Sequence, residues 1–292
     1  MIAKFEKNCR LCGTSLKSQF SKNGFDIGTC DQCGFMSVVD NVDVSVIENI
    51  YSKGYYERDR KRYIDITSKQ RTQWLNRLQL IEQLATQNTS LITTRYKRLL
   101  DIGCGPGIFL ALAKERNWDV RGIEISPQAA REAAKRVGSH RIFQDFASLD
   151  WESCDVITIW AVIEHVQEPL KLLHQAYSLL KPSGILALST VNTNSWNRKW
   201  FAEEWRYFAP PEHLVYFNVE NLNSSLKKTG FEVLSIETNF SEIAFWQGIS
   251  PSKFSSSALP LRVFRRLFTL PFKLTADFFR AGDTLQVIAR RP

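Results

Sequence analysis

The stretch Asp101-Ile102-Gly103-Cys104-Gly105-Pro106-Gly107 constrains this chain more than any other. It follows an apolar run over 98–102 that reads as a buried strand. It opens a helical pattern over 106–116, with proline near the first turn. A strand, a glycine-rich turn and a helix place a ligand at the carboxyl edge of a parallel sheet. The glycines let the backbone turn tightly and approach that ligand with no Cβ in the way. Glu124 stands 21 residues after Gly103, at the end of a second apolar run over 120–125. An acid there can accept both hydroxyls of a ribose. The loop alone is a weak signal; loop, context and spaced acid together are a strong one.

The alternation continues along the chain. Strands are expected at 141–143, 155–160, 185–191, 231–237 and 284–289, and helices at 127–137, 169–180 and 219–229. Lys181-Pro182-Ser183-Gly184 reads as the turn before the fifth strand. Repeated strand–helix units imply a mostly parallel sheet covered by helices on both faces. Residues 96–292 form this domain, with an insertion over 240–282 before the last strand. Residues 46–95 are polar and mostly helical in pattern, a linker or lid ending in a Thr/Asn/Ser-rich stretch near 87–94.

Four of the six cysteines form two pairs, Cys9-x-x-Cys12 and Cys30-x-x-Cys33, separated by 17 residues. Glycine follows each pair, as Gly13 and Gly34. This spacing turns two thiolates of each knuckle toward one ion, so residues 1–45 read as a zinc ribbon. So short a segment buries too little surface to fold alone, and the metal supplies the folding energy. Two disulfides are the competing arrangement. The first eight residues carry no apolar run of a secretion signal, which points to reducing cytoplasm and against disulfides. No run of 18 uncharged apolar residues occurs, so a membrane-spanning helix is not expected. Four protein ligands close the coordination shell, making the site structural. Cys154 reads as an ordinary thiol.

On these motifs the chain resembles class I methyltransferases dependent on S-adenosylmethionine. The resemblance is detailed over 98–240 and implies an α/β fold: a Rossmann-like, seven-stranded, mostly parallel sheet, here preceded by the zinc ribbon. It assigns cofactor binding to Asp101, Gly103, Cys104, Gly105 and Gly107 in the loop, and to Glu124 and Ile125 after the second strand. Asp145 and Phe146 follow the third strand, where an Asp meets the adenine amino group, and Trp160 ends the fourth. A nicotinamide-binding domain is the competing fold, but its loop favours G-x-G-x-x-G where this chain has G-C-G-P-G.

Candidates for the base that activates an acceptor hydroxyl are few. His213 lies in Pro210-Pro211-Glu212-His213-Leu214, after an aromatic-rich segment over 196–208 that suggests a cap. The segment is similar to one in bacterial methyltransferases of cell-surface sugar and natural-product pathways. His165 is the alternative. In ubiquinone-type O-methyltransferases a Glu-x-x-Glu-His stretch here binds a divalent ion, but Ala161 replaces the first Glu, with Glu164 and His165 retained. The expected acceptor is a small molecule, a hydroxyl of a sugar-containing or lipid-linked intermediate. An RNA methyltransferase and a non-catalytic cofactor-binding protein are the other readings.

Charge separates the chain ends. Of the formal +8, residues 251–292 contribute +6, from eight basic against two acidic residues. Over 258–281 the bases interleave with Leu and Phe, which suits a peripheral membrane or lipid-linked substrate contact, or an internally packed flap. Nucleic acid is less favoured, because the aromatics sit among aliphatics and not on a base-stacking surface.

Overall fold

Continuous apolar runs such as Leu99–Leu100 and Ile185–Leu188 have no polar alternation, because both faces of their strands are covered. The computed structural model describes residues 8–40, 42–43, 45–46, 50, 67–86, 97–249 and 259–292. Its main sheet holds seven strands: β4 (Arg98–Ile102), β5 (Asp119–Ile123), β6 (Ile142–Phe143), β7 (Cys154–Trp160), β8 (Leu180–Val191), β10 (Glu232–Asn239) and β11 (Thr284–Arg290). Their order is β10-β11-β8-β7-β4-β5-β6. Strands β4 to β8 pair in parallel, and β10 and β11 close one edge antiparallel. The chain leaves β4 toward β5 and β6, then returns to β7. The switch between β4 and β7 opens a crevice at their carboxyl ends.

The helices follow local chemistry. Helix α3 (Pro127–Val137) starts with Ser126 accepting from the Ala129 N–H and buries Ala129, Ala133 and Val137 at four-residue spacing. Helix α6 (Val219–Lys228) begins with a reciprocal Asn218–Asn221 capping box. Helix α2 (Ile108–Glu115) starts two residues later than the pattern over 106–116 implies, because Gly107 is left-handed, with φ 76°. Helix α4 (Pro169–Leu179) ends directly on β8. The expected Lys181–Gly184 turn is therefore a bulge inside that strand: Cys154 pairs with Leu180, and Val156 with Ile185. Helix α1 (Ser68–Thr86) packs on the sheet beside Trp160. Of the expected lid over 46–95, most of the remainder (51–66 and 87–95) lies outside the described residues. The expected 240–282 insertion contains α7 (Glu242–Ile249) and α8 (Leu259–Thr275), and its residues 250–258 lie outside them too.

The ribbon consists of β1 (Leu16–Lys22), β2 (Phe25–Cys30) and β3 (Met36–Val38). It is not simply appended. The two-residue strand β9 (Val215–Tyr216) joins it, giving a second sheet of order β1-β2-β3-β9. Met36 pairs with Tyr216 and Ser37 with Val215, and the Phe35 and Phe217 rings meet edge to face at 5.2 Å. Arg10 donates to the Gln167 carbonyl and Lys228 to that of Leu11, tying the ribbon to the segment before α4 and to α6.

Candidate active site

The loop after β4 is pinned from below. The Gly103 and Cys104 N–H groups both donate to the Ile123 carbonyl, and that of Gly107 to the Cys104 carbonyl. Gly103, Gly105 and Gly107 have φ of 69°, 53° and 76°. Two of them are also packing glycines. A Cβ on Gly103 would lie 2.4 Å from Val162 Cγ2, and one on Gly107 2.8 Å from Ala133. The glycine pattern thus admits the fourth-strand loop and α3 to close range. Cys104 is buried, and a Cβ on Gly122 would meet its Sγ at 2.6 Å.

Glu124 is 4% exposed and holds the loop from beside it. One carboxylate oxygen accepts from the Gly105 N–H at 2.8 Å, the other from Ser126 N–H at 2.7 Å. Burial raises its pKa, against those two donors. Asp101 is buried under the same loop and accepts from the Thr158 hydroxyl at 2.6 Å. Burial pushes its carboxyl up to about 7, with the charge of Glu124 adding to the rise. Asp145 is exposed, and the hydrogen bonds from Ser148 hold its carboxyl below the usual range. Ile125, 56% exposed, and the half-buried Phe146 offer apolar surface nearby. Trp160 is placed differently. Its ring meets Trp74 and Phe109 edge to face, and the Arg77 guanidinium lies 4.9 Å over it. That ring is part of the packing under α1.

The two histidines read as alternatives come together. After β7, Ala161 turns at φ 52° and the chain makes a single 3-10 turn, Ile163–His165. The Leu214 N–H donates to the Glu164 carbonyl, which brings the Pro210–Leu214 segment over that turn. The imidazoles of His165 and His213 lie 4.8 Å apart, nearly perpendicular. Nδ1 of His165 is 2.7 Å from the Glu212 carbonyl, and Nδ1 of His213 is 2.8 Å from that of Tyr207. Only a protonated Nδ1 can donate to a carbonyl, so in each neutral ring the lone pair sits on Nε2. Glu164, 2% exposed, accepts from Thr190, and ligand atoms of Glu164, His165 and His213 lie within 4.8 Å of one another. His213 thus supplies the third side chain where Ala161 offers none.

The cysteine cluster assembles as expected. Sγ separations are 3.4 Å for Cys12–Cys30, 3.6 Å for Cys9–Cys33 and 3.7 Å for Cys12–Cys33. Four thiolates about 2.3 Å from one tetrahedral zinc stand about 3.8 Å apart. These separations fit that ion and are far longer than a disulfide bond of about 2.05 Å. The knuckles match: Gly13 N–H donates to the Cys9 carbonyl and Gly34 N–H to that of Cys30, each at 2.8 Å.

Residues 56–236, more than half of the chain, match the family model described as a methyltransferase domain. The chain belongs to this family. It is a class I S-adenosylmethionine-dependent methyltransferase. The ubiquinone biosynthesis O-methyltransferase of Histophilus somni is 35% identical over 128 residues, covering 40% of this chain and 51% of that protein. The enzyme of the same name from Neisseria meningitidis serogroup C is 31% identical over 110 residues, 34% of this chain and 46% of that protein. The methyltransferase therefore spans about half the length of the curated relatives it matches. Two solved structures share its fold. Magnesium protoporphyrin IX methyltransferase from Synechocystis, with bound SAH, has TM-score 0.54 and 14% identity, covering 86% of this chain and all of that one. A Thermotoga maritima S-adenosylmethionine-dependent methyltransferase, a possible histamine N-methyltransferase, has TM-score 0.51 and 20% identity, with coverages of 84% and 100%.

The fold adds one residue that the motifs of the methyltransferase do not reveal. Asp283, fully buried before β11, accepts from Trp205 Nε1, Asn197 Nδ2 and the Ser241 N–H. It locks the cap helix α5 (Trp196–Phe201) and Trp205 to the sheet edge. Burial lifts its carboxyl to about 6 against these donors. Its signal in the sequence is only an acid opening an apolar strand.

Glu124 carries the first prediction. Glu124→Ala frees the Gly105 N–H and removes the buried carboxylate that the family resemblance assigns to the ribose. A buried hydrogen bond to a charged group is worth roughly 1.5–3 kcal/mol. S-adenosylmethionine affinity measured by calorimetry falls about tenfold to a hundredfold. Unchanged affinity would refute the assignment.

Proposed function

We propose that this methyltransferase acts on a hydroxyl of a small molecule, with His213 as general base and His165 beside it. The observation that carries the reading is the imidazole pair, 4.8 Å apart, with each Nδ1 on a main-chain carbonyl. Bound S-adenosylmethionine supplies an electrophilic methyl on a sulfonium sulfur. The residues we assign to hold it are the Asp101–Gly107 loop, Glu124, Ile125, Asp145 and Phe146. An alcohol is a weak nucleophile until its proton begins to leave, and a placed base contributes roughly 10²–10⁴ in rate. Nε2 of His213 takes that proton as the oxygen is methylated. The edge-on ring of His165 stabilises the imidazolium orientation, and the Glu212 and Tyr207 carbonyls keep both rings from turning. The O-methyltransferase names of the relatives support oxygen as the accepting atom. A sugar-containing or lipid-linked intermediate is the acceptor class we assign. We also infer that Cys9, Cys12, Cys30 and Cys33 hold one structural zinc.

Radiolabelled methyl transfer tests the reading. Offered sugar-containing small molecules with free hydroxyls, the corresponding amino sugars and bulk RNA, the enzyme labels a sugar oxygen, and added Mg²⁺ leaves the rate unchanged. Label in the amine or the RNA overturns the hydroxyl assignment. A strict Mg²⁺ requirement puts an ion, not a proton, between Glu164, His165 and His213.

A further inference from the structure

Helix α8 is inside out for a helix in water. Its inward positions are Thr269, Phe272 and Ala276, spaced as one helical face. Its outer face carries Leu267, Leu270 and Leu274, and the turn beyond carries Phe278 and Phe279. Leu274 is 71% exposed and Phe278 83%, so these are not rim contacts of the core. The patch runs on into the cap helix, where exposed Trp200 meets Phe272 edge to face at 5.1 Å and Trp196 lies 5.9 Å from Phe279. An apolar surface of this kind on one face of the protein marks an interaction site.

The charges say what covers it. From Ile243 to Ala276 the sequence has five basic residues and no acidic one. Exposed Lys199, Lys273 and Arg280 stand beside the apolar patch. The acids at its borders are Asp277, with a carboxylate oxygen held by the Thr238 N–H at 2.6 Å, and the exposed Glu203 and Glu204 after α5, where Glu204 pairs with Lys22. Large apolar side chains bordered by Lys and Arg suit the boundary between headgroups and acyl chains of an anionic bilayer. A symmetric dimer through the same patch would bring two basic faces together. No helix among the described residues is long and apolar enough to cross a membrane, so contact is by adsorption.

We propose that the outer face of α8 and the Phe278–Phe279 turn dock the enzyme on an anionic lipid surface, with Leu267, Leu274, Phe278 and Phe279 entering the interface and Lys199, Lys273 and Arg280 at the headgroups. The proposal goes beyond the acceptor reading above and does not rest on it.

Co-sedimentation with vesicles tests it on the full chain. The protein binds phosphatidylcholine vesicles containing phosphatidylglycerol, and binding weakens in 0.5 M salt, where charges are screened beyond a few ångströms. Leu274→Glu with Phe278→Glu reduces the bound fraction at least about tenfold. Its S-adenosylmethionine affinity stays at the wild-type value, which shows that the variant is folded. Lys273→Glu with Arg280→Glu, a second variant that leaves the apolar patch intact, also loses binding at low salt. Wild-type protein that ignores anionic vesicles, binds neutral ones equally well, or binds no differently after Leu274→Glu and Phe278→Glu overturns the proposal. So does sedimentation showing a wild-type dimer that those two substitutions dissociate.

Discussion

His213→Ala lowers kcat by about 10²–10⁴ while S-adenosylmethionine affinity barely changes. The proposed base acts on the acceptor proton, whereas the glycine loop proposed to hold the cofactor is fixed by Ile123 and Glu124. His165→Ala is the necessary comparison. The rings touch, so their effects are not independent, and the double variant loses little more than His213→Ala alone. Full loss in His165→Ala with activity kept in His213→Ala moves the base to the fourth-strand turn. Activity kept in both means an acceptor more acidic or more nucleophilic than an alcohol.

Cys30→Ser removes bound zinc, about one ion per chain in the wild type, and unfolds the ribbon. Structural zinc contributes roughly 10–16 kcal/mol in zinc-finger peptides, more than a segment of this size obtains from burial. The damage reaches the histidines by a short path. The Cys30 N–H donates to the Phe35 carbonyl, β3 pairs with β9, and the Val38 N–H donates to the Leu214 carbonyl, one residue from His213. Methyl transfer therefore falls at least tenfold or so, since a misplacement of about 1 Å costs on the order of 10² in rate. Cofactor affinity stays near the wild-type value, because its loop belongs to the other sheet. Metal analysis, melting curves and calorimetry read the three quantities separately. A metal-free, well-folded protein with two disulfides would contradict the zinc assignment outright.

Much of the fold is legible because periodicity and punctuation act locally. Pro127–Val137 is bounded by its serine cap and its glycine, and the structure gives the same limits. Buried strands announce themselves as apolar runs, and the two knuckles by their spacing. The remaining features depend on contacts between distant residues. Nothing in Val215–Tyr216 says that two residues complete a ribbon nearly 180 positions upstream. The spacing of His165 and His213 gives no hint that their rings touch, since the links are the Leu214 N–H on the Glu164 carbonyl and His165 Nδ1 on the Glu212 carbonyl. The family resemblance assigns Trp160, at the end of the fourth strand, to the cofactor. Its ring packs among Phe109 and the Trp74 and Arg77 side chains of α1, a contact between distant parts of the chain that the sequence does not announce. The glycine loop shows the same limit in reverse: its motif is plain, but Gly103 and Gly107 are required in part by Val162 and Ala133.

The most direct test is a crystal structure with S-adenosylhomocysteine bound. Its ribose hydroxyls are expected at Glu124, its body over the Gly103–Gly107 turn, and its sulfur facing the His165–His213 pair, with Nε2 of His213 no more than about 8 Å away. That distance leaves room for one acceptor oxygen and the transferred methyl in line. A sulfur farther from both imidazoles, with no movement of the 205–214 segment able to close the gap, would contradict the assignment of this pair to the chemistry.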